Sequence, residues 1–153
     1  AENNAGYQNL VKIVSIGFRD GFYRKPRVDF ETLQEYHEGL ICLSACLAGE
    51  IPKKIVNGEY EAAKETALLY SEIFGEGNYY LELQDHGDID EKRAMSGLLR
   101  ISEETGIPIV LTNDAHYIRK EDAENHDVLL CIQTGKTVDD ETLEIFFPEK
   151  FDK

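Results

Sequence analysis

The sequence has no apolar run near the roughly 20 residues of a membrane-spanning helix, and no signal peptide opens it. Its three cysteines, Cys42, Cys46 and Cys131, are odd in number and lack CxxC spacing, which predicts free thiols of a reducing compartment. Basic residues are scarce: 16 Lys and Arg stand against 30 Asp and Glu, a formal net charge of −14. Since phosphate binding needs clustered cations, this balance argues against the chain gripping nucleic acid by itself. We therefore expect an acidic, soluble, cytoplasmic protein.

Several motifs that define enzyme classes are also missing. The chain contains no G-x-x-x-x-G-K-[ST], G-x-G-x-x-G or G-x-S-x-G pattern and no pair of CxxC motifs, so NTPase, dinucleotide, serine-hydrolase and zinc-ribbon functions lose support. Its 153 residues are 42% hydrophobic and 30% charged, enough to bury the core of one ordinary domain. A complete eight-fold β/α barrel needs roughly 200–250 residues, so that fold is excluded for this length alone.

Apolar periodicity predicts helices that alternate with short strands. A stripe at helical spacing opens the chain behind a cap at Asn3 or Asn4, and it comprises Tyr7, Leu10, Val11, Val14 and Phe18. The predicted strands are 40–43, 79–84 and 107–111, and the first is expected to be buried on both faces. Further helices are predicted from Asp29 to near Gly39, over 50–74 with a break near Asn57-Gly58, over 90–105 and over 121–133. The tail through Phe146-Phe147-Pro148 is expected to be irregular.

This alternation predicts a parallel α/β architecture, in which functional groups gather after the carboxyl ends of the strands. Candidate metal ligands follow each predicted strand, namely Cys46 after the first, Glu82 and His86 in and after the second, and Asp114 and His116 after the third. Because side chains alternate along extended backbone, Asp114 and His116 are expected to project to one side. A thiolate, a carboxylate and an imidazole at one mouth would suit Zn²⁺, Mn²⁺ or Fe²⁺ better than Ca²⁺ or Mg²⁺.

Each candidate also has a structural interpretation. A cysteine after a buried strand is often a small core residue, and an aspartate can simply cap a loop. The structural interpretation of Glu82 is a strand residue that hydrogen-bonds neighbouring backbone, and that of His126 is a helix-packing histidine. The acidic run at 139–141 is typical of a solvated surface.

Longer motifs resemble the PHP (polymerase and histidinol phosphatase) domain family, in the version carried by bacterial replicative DNA polymerases of the polymerase III alpha type. They cover essentially the whole chain in order, as Gly6–Leu10, Gly21–Asp29, Glu38–Glu50, Tyr80–Gly87, Thr112–Tyr117 and His126–Lys136. The resemblance implies a distorted seven-stranded β/α (TIM-like) barrel with a multinuclear metal site at the strand ends. It assigns metal binding to Cys46, Asp114 and His116, and leaves Glu82 and His86 as further ligands or as supports of the ligands.

The resemblance also implies what should lie outside this sequence. The family's opening His-x-His motif is absent, as are palm, fingers and thumb regions, so residues 1–153 are expected to be a partial PHP domain. Its parent would be a DNA-directed DNA polymerase that uses Mg²⁺ at its polymerase site and works with other replisome subunits. DNA would be bound through the parent, and the partial domain would be inactive alone, with an unpaired sheet edge that favours a dimer or a strand-swapped assembly.

Three functions follow as hypotheses. The first is a metal-dependent phosphoesterase linked to 3′–5′ exonuclease proofreading, in which metal ions lower the pKa of water and neutralise phosphodiester charge. The second is a structural domain that docks a proofreading subunit without chemistry of its own. The third is a stand-alone PHP phosphatase acting on small phosphate monoesters.

Overall fold

The computed structural model describes residues 1–139, so the tail through Phe146-Phe147-Pro148 and most of the acidic run at 139–141 lie outside the described residues. The chain divides into two compact units, Ala1–Asn113 and Asp114–Lys153, which are described separately. Within residues 1–139 no helix has both the length and the apolar character needed to cross a membrane.

The first unit contains five helices and three short strands among its described residues. They are, in chain order, α1 (Asn4–Arg19), α2 (Phe30–Tyr36), β1 (Cys42–Leu43), α3 (Glu50–Val56), α4 (Tyr60–Phe74), β2 (Tyr79–Leu83), α5 (Ile89–Thr105) and β3 (Ile109–Leu111). The second unit has a 3₁₀ turn at Lys120–Asp122 followed by α6 (Ala123–Thr134). The predicted alternation of helices and strands is thus confirmed, although each strand is shorter than its apolar run.

Local capping explains where the helices begin and end. The Asn3 side chain accepts a hydrogen bond from Gly6 N at 2.9 Å, and the Asp29 carboxylate accepts one from Thr32 N at the same distance. Gly106 ends α5 with φ +77°, a conformation that costs glycine little. These caps agree with the predicted starts of α1 and α2 and with the predicted end of α5.

The three strands form one parallel sheet in the order β1-β2-β3. Tyr79, Leu81 and Leu83 of β2 are buried in a core shared with α3, α4 and α5. Ile41, just before β1, and Leu43 of β1 keep exposed fractions of 46% and 39%. The prediction that the first strand is buried on both faces is therefore wrong for the described residues. Right-handed crossovers between neighbouring strands place successive helices on one side of a sheet, which leaves the other side without helical cover.

Helix α1 packs through small residues instead of through its apolar stripe. Gly6 and Gly17 are buried, and a Cβ on Gly6 would lie 1.8 Å from the backbone oxygen of Gly39. The stripe residues are instead exposed in the described part of the chain: Tyr7, Leu10, Val11, Val14 and Phe18. The periodicity predicted the helix correctly, but the close approach of Gly6 to Gly39 determines which side of it is covered.

Candidate functional site

The loop after β1 brings Cys46 to the end of the sheet. Ser44 is buried, and its hydroxyl oxygen accepts a hydrogen bond from Glu82 N at 2.8 Å, which joins this loop to β2. Ala45 adopts a left-handed conformation, with φ +64°, and Gly49 N donates to Cys46 O at 2.8 Å. This tight turn holds Cys46 half-buried just before α3 begins.

The end of β2 carries a carboxylate fixed by two donors. Glu82 Oε1 accepts hydrogen bonds from Gln84 Nε2, at 3.2 Å, and from the hydroxyl of Thr112. Gln84 Nε2 also lies 3.2 Å from Thr112 Oγ1. Glu82 and Gln84, two residues apart, thus place their side chains in contact with each other. Thr112, which follows β3, was not among the sequence candidates, because only the pairing of β2 with β3 brings it to Glu82.

These groups border a small cleft of about 20 Å³, which we call the strand-end cleft. Its polar lining comes from three elements and consists of Cys46, Glu82, Gln84 and Glu91. Its apolar wall includes Leu83, Ala94 and Leu98, which belong to the core side of β2 and α5. A cleft of this size holds little more than one water-sized group.

His86 is held beside this cleft by Glu91 of α5. The Glu91 carboxylate accepts hydrogen bonds from His86 N at 2.6 Å and from His86 Nδ1 at 2.7 Å. Nε2 of the same ring lies 3.0 Å from the carbonyl oxygen of Asn113, which can only accept. Both ring nitrogens of His86 therefore face an oxygen atom, a carboxylate oxygen on one side and a carbonyl oxygen on the other. In this arrangement His86 supports the loop and does not present a free lone pair to a metal.

Glu91 is the functional side chain that sequence reasoning missed. Its side chain is only 11% exposed. The available signal was its place in the first turn of α5, behind the N-cap Asp88, whose carboxylate accepts from Asp90 N at 2.7 Å. An acidic residue in the first turn of a helix is usually explained by its favourable interaction with the helix dipole. For that reason the sequence alone does not indicate that Glu91 also binds His86.

In the second unit, the backbone of Asp114 departs from extended geometry. Its φ is +46°, so the strand-like alternation assumed for Asp114 and His116 does not apply there. His116 Nδ1 lies 2.6 Å from the carbonyl oxygen of Asp114 and must donate to it. In a neutral ring this leaves the lone pair on Nε2, the tautomer that metal-binding histidines commonly adopt. The His126 ring lies 5.6 Å from that of His116 and 5.5 Å from that of Tyr117.

A second cavity, of about 170 Å³, lies between β1, α3 and α4. Burial raises the pKa of the Cys42 thiol to about 11. Burial, together with nearby Glu50, raises the pKa of Tyr70 to about 12. Tyr70 also donates to Glu50 Oε2 at 3.1 Å. Cys42, Tyr70 and Glu50 all line the cavity, and the neutral forms of Cys42 and Tyr70 are favoured there because their charged forms would be poorly solvated.

The donor chemistry required for a metal centre is incomplete in the part of the chain that the structure describes. No group of three or more His, Cys, Asp or Glu side chains among residues 1–139 is arranged to hold an ion. Cys46 belongs to the first unit, and Asp114 and His116 belong to the second. Their convergence on one metal site therefore stays a prediction.

Comparison with known proteins gives one family and a set of similar chains. The sequence model of the PHP domain matches residues 1–86. The chain is 44% identical over 141 residues to "DNA polymerase III subunit alpha" of Borreliella burgdorferi, and 46% identical over 140 residues to the subunit of the same name from Treponema pallidum. The Thermus aquaticus subunit is 43% identical over 140 residues. Each alignment covers 92% of this chain but only 11–12% of the relative, so the chain spans a small part of their length.

Proposed function

The chain belongs to the PHP domain family, and we propose that it is part of a bacterial DNA polymerase III alpha subunit. The observation that carries the proposal is the continuous similarity over 92% of the chain to proteins of that name. The parent protein would extend DNA as a DNA-directed polymerase with Mg²⁺, in the cytoplasm and with other replisome subunits. With a net charge of −14, this part would leave the binding of duplex DNA to the rest of the parent.

We further propose that the three parallel strands are one section of a seven-stranded β/α barrel. The strand order β1-β2-β3 supports this, because right-handed crossovers between neighbouring strands would place the helices on one side of the sheet, and Leu43 of β1 remains exposed. Both faces of a parallel sheet are normally buried, so we expect the exposed face to be covered by additional strands or by another layer of structure. The open face would then become the barrel interior, with additional strands supplied by the rest of the parent.

The strand-end cleft is the proposed centre of a phosphoesterase linked to 3′–5′ proofreading. Glu82 is oriented by Gln84 and Thr112, and Glu91 holds the ring of His86 in place, so carboxylate and imidazole groups are positioned before substrate arrives. Cys46 lies at the same cleft. In this proposal Glu82 and His86 position neighbouring groups, whereas Cys46, Asp114 and His116 bind metal.

The metal proposal depends on donors beyond the described residues. Cys46, Asp114 and His116 offer one sulfur, one carboxylate and one imidazole, which suits Zn²⁺, Mn²⁺ or Fe²⁺. Because the described residues bring no three such groups together, a complete centre would need ligands from the rest of the parent. On this view the chain alone is catalytically silent.

A second candidate is a non-catalytic domain that stabilises the polymerase and docks a proofreading subunit. The exposed apolar stripe of α1, which includes Val14 and Phe18, is a surface of the kind such docking needs. A stand-alone phosphatase receives no comparable support, since the relatives described above carry the polymerase name.

An exonuclease assay separates these functions. A primer with a 3′ mismatch is incubated with Mn²⁺ or Zn²⁺ and either this chain or the parent polymerase subunit, each with and without Asp114→Asn. We expect cleavage by the parent only, and loss of that cleavage in its variant, while polymerase activity persists. Glu103→Gln, an exposed carboxylate on α5, provides a control with the same chemical change.

Cleavage by the parent that survives Asp114→Asn would contradict the phosphoesterase proposal and leave the docking domain. Equal cleavage by the isolated chain and the parent, abolished in both by Asp114→Asn, would show that the chain contains a complete active site.

A further inference from the structure

The turn that connects α1 to α2, residues 22–27, has a defined shape. Tyr23 N donates to Lys25 O at 3.1 Å, and Arg24 between them has φ +62°, a left-handed conformation that is unusual for arginine. The end of the turn also lies against α1, because a Cβ on Gly17 of that helix would be 3.4 Å from Arg27 O. The backbone of this turn therefore has a fixed conformation before any ligand binds, and its side chains project from that fixed backbone.

The positive charges of this turn have no carboxylate partner among the described residues. Arg24, Lys25 and Arg27 make no ion pair there, whereas Arg19, next to the turn, pairs with Asp20 at 2.5 Å. The chain has almost two acidic residues for every basic one, so partners for these cations are abundant in the sequence. Three neighbouring cations without a carboxylate partner leave a local positive field on an otherwise acidic protein.

Aromatic rings stand beside these cations and face solvent. Phe22 is 57% exposed and Tyr23 is 65% exposed. The guanidinium groups of Arg24 and Arg27 lie 5.7 and 5.6 Å from the centre of the Tyr23 ring. Phe22 stacks on Phe18 of α1 with ring centres 6.3 Å apart. The turn therefore combines flat apolar surfaces with unpaired cations.

We propose that this turn is a binding site for single-stranded nucleic acid. Arginine and lysine would contact successive phosphates, and the exposed faces of Phe22 and Tyr23 would stack with unpaired bases. In a duplex the bases are stacked on one another, so they present no free face on which the aromatic rings could stack. An acidic peptide would satisfy the cations but would leave the rings unused. The site is distinct from the strand-end cleft and does not depend on its chemistry.

The test measures fluorescence anisotropy of a labelled oligothymidylate with the full chain at low ionic strength, and follows the dissociation constant as salt is raised. Each phosphate contact on a single strand contributes a slope of roughly −0.7 when the logarithm of the association constant is plotted against the logarithm of the salt concentration. Up to three such contacts therefore predict a slope of about −2. The double variant Lys25→Gln/Arg27→Gln should weaken binding and flatten this slope. Its matched control is Lys53→Gln/Lys92→Gln, which removes the same charge from exposed lysines outside the turn and should bind as the wild type does.

A second pair of variants tests stacking separately from charge. Tyr23→Ala should weaken binding roughly tenfold, in line with base–aromatic stacking elsewhere. Tyr7→Ala removes an equally exposed ring from α1 and should have no effect. Circular dichroism confirms the fold of each variant.

Four results would overturn the proposal. They are no measurable binding of the oligonucleotide, equal losses in the turn variants and their controls, equal affinity for a duplex of the same sequence, and equal affinity for a polyglutamate peptide. The last would assign the turn to an acidic protein partner.

Discussion

The Glu91 carboxylate contacts both the backbone and the ring of His86 and is nearly buried while doing so. We expect Glu91→Ala to lower the free energy of unfolding by about 1–3 kcal/mol, because it leaves two donors of His86 without their acceptor. Urea unfolding followed by circular dichroism measures the change. Glu103→Ala, on an exposed position of the same helix, should stay within about 0.5 kcal/mol of the wild type. Similar losses in both variants would contradict this role of Glu91.

The Cys42 thiol provides a prediction in terms of pH. Burial raises its pKa from the usual 9.0 to about 11, so the folded chain keeps this thiol protonated across that interval. Its contribution to stability is accordingly present below pH 9 and is lost as the pH rises through 11. Because the thiolate is the reactive form, iodoacetamide should label Cys42 more slowly in the folded chain than in urea, with a midpoint near pH 11 in mass spectrometry. Equal rates in the folded and unfolded chains would contradict the burial.

Residue positions could be predicted from sequence where they depend on the strands alone. Cys46 and Glu82 were found because each lies at the end of an apolar run. Glu91 and Thr112 were missed because their roles arise only when α5 and β3 pack against β2. Asp114 shows a different limit, since its left-handed backbone breaks the alternation on which its pairing with His116 was predicted.

At the scale of elements, the crossing of α1 and the turn before β1 depends on two glycines. A Cβ on Gly6 would lie 1.8 Å from Gly39 O, too close for backbone that cannot move aside. We expect Gly6→Ala to destabilise the chain by roughly 1–3 kcal/mol despite the better helix propensity of alanine. Gln8→Ala, on an exposed position of α1, is the control and should be neutral or slightly stabilising. Thermal unfolding of the two variants tests this, and a stabilised Gly6→Ala variant would show that the helix is not in close contact there.

Helix boundaries were predictable because they are local. Asn3, Asp29 and Gly106 act through hydrogen bonds or backbone angles within a few residues of themselves. Which side of α1 is covered was not predictable, because both its apolar stripe and its glycines suggest a packing surface. Among the described residues the glycines are buried and the stripe is exposed. Strand lengths were overestimated for a related reason, since an apolar run continues beyond the residues that pair.

At the scale of the whole molecule, the first unit leaves two apolar surfaces exposed. One is the open side of the sheet near Leu43, and the other is the stripe on α1 that includes Val14. Surfaces of this kind in a soluble protein usually mark contacts with other chain segments or partners. Such surfaces fit a section of a larger barrel. They also agree with the length of the Borreliella burgdorferi relative, because the aligned region covers 12% of that protein, which is therefore about eight times longer than the region.

The central claim is that Cys46, Asp114 and His116 bind metal as part of a larger PHP domain. The most direct measurement is the metal content of the purified parent subunit by mass spectrometry, with Cys46→Ser, Asp114→Asn and His116→Gln compared against Glu103→Gln. Our account predicts bound Zn, Mn or Fe in the wild type and the control, a loss of metal in each of the three variants, and no stoichiometric metal in the isolated chain. Unchanged metal content in the three variants would contradict it.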